Sequence, residues 1–72
     1  MLETQQTTTS NTYFDLVSVL YHALRAEQTC TTYVEDAQRS GNQELVQFFG
    51  EVKLSASQQA DRAKELLSRA GS

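Results

Sequence analysis

The side chains in this sequence best placed to do chemistry are one histidine, one cysteine and one glutamate set among apolar residues. Glu27 is the most informative. At about 100° per residue it projects onto the centre of an apolar helical stripe, in line with Leu16, Leu20 and Val34. A carboxylate taken out of water must gain a hydrogen bond, a cation or a proton. If the chain folds back at Gly41, facing positions sum to about 82, which sets Glu27 opposite residues 53–59. Ser55 and Gln59 stand there at the edge of the second apolar face, and both can donate to a carboxylate. Three readings are open. Glu27 is a buried polar pin, held by Ser55 or Gln59, that fixes helix register. Or it is a metal ligand, two copies approaching across a dimer, with His22, Glu51 or a partner chain completing the shell. Or it pairs with Arg62 or Lys53 near the edge of the stripe.

The remaining reactive groups carry less. His22 projects away from the stripe, near Ser18 and Ala26, and no Ser, Cys or Asp is arranged with it as a triad. Cys30 projects to the edge of the apolar face and has no adjacent Lys, Arg or His to activate its thiol, so it reads as a small core residue. The sequence shows no phosphate loop, no nucleophile elbow and no paired acid and base. No catalytic residue is expected.

The elements that position these groups are two helices. Apolar residues recur at Tyr13, Leu16, Val17, Leu20, Ala23, Leu24, Cys30, Val34 and Ala37, at helical spacings of three and four. Thr12 and Asp15 suggest a capping box at the start. Ser40-Gly41-Asn42 is the break, with Gly41 suited to the left-handed position after a helix and Asn42 to the N-cap of the next. Leu45, Phe49, Val52, Ala56, Ala60, Ala63, Leu67 and Ala70 mark the second helix. The spacing predicts helix 1 over about 13–39 and helix 2 over about 43–70, within a hairpin of 12–71. Each is about 40 Å long, and the short connection makes them antiparallel. Residues 1–11, rich in Thr and Gln, read as a disordered polar tail.

Composition sets the scale. The chain has 72 residues and 39% hydrophobic content, enough for one small domain. Such domains usually lean on disulfides, metals or oligomerisation. A single cysteine excludes an intrachain disulfide, and one His with one Cys excludes a four-ligand Cys/His zinc site. Oligomerisation is therefore expected. The apolar arc of helix 1 is also wide, with Val19 and Ala26 on one side and Val17 and Leu24 on the other. That width suits a helix with two neighbours and points to a homodimeric four-helix bundle.

Six basic residues against nine acidic give a net charge of -3, which argues against nucleic-acid binding. No apolar run approaches the roughly 20 residues of a membrane span, and no secretory signal is evident. The lone cysteine fits a reducing cytoplasm. Phe14 and Tyr21 project together off the stripe, as does Leu54 on helix 2, making these three a candidate surface for a protein partner.

The stretch Leu24-Arg25-Ala26-Glu27, with Tyr33, Gly41-Asn42-Gln43-Glu44-Leu45 and Phe48-Phe49, resembles the ferritin-like, rubrerythrin-type helix pair over about residues 13–70. The resemblance implies a ferritin-like four-helix bundle, with Glu27 at the place of a first-helix di-iron ligand. The Glu-x-x-His motif of the family's second helix is absent, and Ala56-Ser57-Gln58-Gln59 is the nearest stretch. Tyr33 is also one residue short of the family's usual aromatic position, where this chain has Val34. The expectation is a small non-enzymatic interaction or regulatory protein, with no cofactor, on a scaffold that has lost its iron ligands. The alternative is an iron or manganese protein with an intersubunit carboxylate site around Glu27.

Overall fold

The computed structural model describes residues 8–70, with side chains over 11–69. It is an all-α hairpin of two helices, α1 (Thr8–Arg39) and α2 (Gln43–Ala70). At 1.5 Å per residue the 32 residues of α1 span about 48 Å and the 28 of α2 about 42 Å. Neither helix is long and apolar enough to cross a membrane.

The connection is a tightly specified turn. The Asn42 N–H donates to the Ala37 carbonyl at 3.0 Å, and the Gly41 N–H donates to the Gln38 carbonyl at 3.1 Å. These two bonds form a Schellman motif, which satisfies carbonyls that the end of α1 would otherwise leave open. Gly41 takes φ 73°, a conformation glycine adopts without steric cost. Asn42 then serves α2, its side-chain oxygen accepting from the Leu45 N–H at 3.1 Å. One residue thus closes the first helix and opens the second.

The helices meet along a seam of small residues. Ala23, Cys30 and Ala37 on α1 and Ala56, Ala60 and Ala63 on α2 form the buried core, with Ala60 only 1% exposed. The α1 residues recur every seven positions, the spacing that keeps one line of a supercoiled helix against its neighbour. Methyl and thiol side chains let the two backbones approach closely. The larger apolar side chains flank the seam or face outward, and eleven of them in the described residues are 38% exposed or more.

Two expectations change. Helix α1 begins at Thr8, so Thr12 and Asp15 lie inside it rather than capping it. No Gly or Pro interrupts residues 8–12, and extending a formed helix adds a hydrogen bond for each residue fixed. Of the polar tail, residues 8–11 are therefore helical, and residues 1–7 lie outside the described residues. Arg39 pairs with Asp36 one turn back. Glu65 is shared by Arg62 at 3.1 Å and Arg69 at 3.3 Å. These pairs are exposed and contribute a few tenths of a kcal/mol each.

Gly50 sits mid-helix with open space where a Cβ would point. Close packing within the hairpin does not require it. Gly50→Ala is expected to stabilise the fold by about 1 kcal/mol, raising the unfolding midpoint by about 4–8 °C. Thermal denaturation followed by circular dichroism reads the change, and a lower midpoint would mean that a second chain packs against this position.

Candidate functional site

Cys30 lies on the seam, not at its edge, and is buried as a free thiol among alanines. With Cys30 on the buried line, Glu27 lies off it. Ala26 and Glu27, about 100° apart on the helix, straddle the line through Ala23 and Cys30. Glu27 is half-buried on one flank. Ser55 and Gln59 are exposed, and neither donates to the Glu27 carboxylate within the hairpin. The hydrogen bond recorded at Glu27 is to its backbone carbonyl, from the Thr31 hydroxyl at 3.2 Å. Arg62 is engaged by Glu65, so the edge pairing of Glu27 with Arg62 does not form either. A single hairpin therefore does not assemble the polar pin. Large side chains mark the apolar stripe in the sequence, whereas helix contact here selects small ones.

Ser55 and Gln59 belong to the opposite flank. With Leu16, Val19, Gln58, Arg62, Ala63 and Leu66 they line an open groove of about 340 Å³ between the helices. Its walls are mainly apolar, and a neighbouring hollow at Thr12, Asp15, Leu16 and Val19 continues it along α1. Toward the turn, the same flank carries an aromatic cluster. The Tyr33 ring lies 5.5 Å from Phe49, and Phe49 lies 5.8 Å from Phe48. Tilted rings at these separations are the favourable arrangement for aromatic pairs. The signal for this flank was present as sevenfold spacing: Val19, Ala26 and Tyr33 on α1, and Leu45, Val52, Gln59 and Leu66 on α2. Tyr33–Phe49 also gives the hairpin register, since the two numbers sum to 82.

Among the described residues, Phe14, Leu54 and Tyr21 are the three most exposed large apolar side chains, at 69%, 59% and 57%. His22 is exposed and makes an edge contact with Tyr21 at 5.4 Å between ring centroids. Glu51 is exposed on α2. Among the described residues, no three His, Cys, Asp or Glu side chains gather in one place.

No family model, curated protein or solved structure matches this chain.

The di-iron centre implied by the family resemblance can be tested on the donors present. The second-helix stretch that should bring a carboxylate and an imidazole is Ala56-Ser57-Gln58-Gln59. Ala56 is buried in the seam, where it offers only a methyl group to the facing helix. Neutral amides and a hydroxyl are poor substitutes for Glu and His as iron ligands. The residues do not fit that group.

Proposed function

We propose that this chain is a small non-enzymatic interaction module of the cytoplasm. Two copies of the hairpin close into a four-helix bundle, a ferritin-like scaffold without iron ligands. Its outward aromatic side chains, Phe14 and Tyr21 with Leu54, engage a protein partner. The observation that carries this reading is the mismatch between core and surface. Among the described residues, five alanines and one cysteine are buried, while eleven large apolar side chains remain exposed. Those eleven present on the order of 1,000 Å² of apolar surface, taking roughly 200 Å² per aromatic side chain, divided between the flanks and the outward faces. A standard interface takes roughly 800 Å² from each partner. Burial at about 25 cal/mol per Å² then supplies stability that a core of methyl groups lacks.

The half-buried Glu27 carboxylate supports the second reading, a metal ion held between two subunits. Native mass spectrometry of protein expressed in iron- and manganese-supplemented medium separates the two. The expected species is a metal-free dimer near 16 kDa, twice the 8.1 kDa of the chain. A dimer that carries metal, and loses it on Glu27→Ala, would establish the second reading instead. A monomer at tens of micromolar would contradict both.

A further inference from the structure

The flank that carries the groove and the aromatic cluster has a further property: its two features are symmetrically placed. On α1, Val19 and Tyr33 each lie seven residues from Ala26. On α2, Phe48 and Arg62 each lie seven residues from Ser55. Seven residues is about 10.5 Å of helix. The groove lies on one side of the Ala26–Ser55 midpoint and the aromatic cluster on the other.

Resting on the homodimer reading above, we infer that two copies meet through this flank, about a two-fold axis that runs across the helices between the two Ala26 and between the two Ser55. The second copy is antiparallel, α1 over α1 and α2 over α2. The Tyr33–Phe48 end of each hairpin then fills the groove of the other. Tyr33 of one copy meets Val19 of the second, and Phe48 meets Arg62.

Four observations support this arrangement. A cavity of about 150 Å³ suffices for a benzene ring, so a groove of about 340 Å³ admits an aromatic side chain. Ala26 and Ser55, at the crossing, are small enough to let the backbones approach. Arg62 lies at the rim, where its guanidinium can stack on the incoming ring. Five of the exposed large apolar side chains fall on this flank: Val19, Tyr33, Leu45, Phe48 and Val52. At roughly 200 Å² for a whole aromatic side chain, these five present about 400 Å² of apolar surface, half of what a standard interface takes from each partner, and the polar groups beside them add to it. The self-complementary pairing is what an isologous interface requires. It also leaves Glu27 on the opposite flank, away from its symmetry copy.

Cysteine cross-linking tests this geometry. In a Cys30→Ala background, which fits the alanine seam, Ala26→Cys is expected to form a disulfide-linked dimer under mild oxidation, and Val17→Cys, on the Glu27 flank, is not. Tyr33→Glu is expected to raise the dimer dissociation constant at least about tenfold in sedimentation equilibrium, with helicity retained. Efficient linkage at position 17 and none at 26 would overturn this face while leaving the homodimer intact. Linkage at neither position in a protein that still sediments as a dimer would also overturn it. A parent chain that sediments as a monomer would remove this arrangement and the homodimer reading together.

Discussion

Ala60→Leu is expected to open the hairpin. Ala60 is 1% exposed and lies in the seam of small residues between the two helices. A leucine there must push the helices apart along a seam that has no spare volume, and overpacking of this kind costs about 3 kcal/mol. A single core in a chain this short rarely supplies more than about 3–5 kcal/mol. Helicity measured by circular dichroism at 25 °C should therefore fall sharply, together with the unfolding midpoint. A midpoint within a few degrees of the parent would mean that the seam is not closed as described.

The second large effect separates two neighbouring positions on α1. Cys30→Glu puts a carboxylate onto the seam itself, among Ala23, Ala37 and the alanines of α2. An uncompensated buried charge costs about 3 kcal/mol or more, so this variant should be largely unfolded at neutral pH. Burial holds a proton on a carboxyl group more tightly than water does. The introduced group would thus have a raised folded-state pKa, and its fold would be favoured at low pH and lost as pH rises through that value. Helicity of the variant should recover on acidification. Glu27→Leu, three residues away but on the flank, should do the reverse. It extends the apolar line of Leu20 and Val34 and is expected to stabilise the hairpin by about 1 kcal/mol. Urea denaturation of the two variants at neutral pH gives the comparison. Equal destabilisation by both would restore Glu27 to the centre of the buried stripe.

That contrast also shows what the sequence could reveal. The hairpin was legible because its signals are local. Gly41 and Asn42 are residue types that a Schellman motif and an N-cap demand, and no proline interrupts either helix. Periodicity located two apolar faces but not their centres. Leu16, Leu20 and Val34 drew the projection toward Glu27, because a hydrophobic stripe is weighted by large side chains. Close helix approach is governed by small ones, so the buried line passes through Ala23, Cys30 and Ala37. The start of α1 is masked in the sequence for a related reason. Thr12 looks like a cap, but a cap acts only where the helix has cause to stop, and residues 8–11 provide none.

The candidate site was less legible still. Ser55 and Gln59 stand beside a mainly apolar groove, on the flank away from Glu27. Single-helix projection gives no handedness of the hairpin and so cannot say which flanks of α1 and α2 share a side. The Tyr33–Phe49 ring contact and the shared lining of the groove by Val19 and Gln59 supply that information. Phe14, Tyr21 and Leu54 needed only one helix each, and their exposure followed directly from projection.

Small-angle scattering of the intact chain tests the side-by-side dimer most directly, because it gives mass and length together. Antiparallel packing along the flank doubles the mass from 8.1 kDa while leaving the helical rod the length of one hairpin, near the 48 Å of α1. The expected result is a particle of about 16 kDa with a longest dimension of roughly 50–60 Å. A particle of the same mass extending to roughly 100 Å would mean end-to-end association, and one of 8 kDa would mean a hairpin that stays alone. Either result would contradict the four-helix bundle.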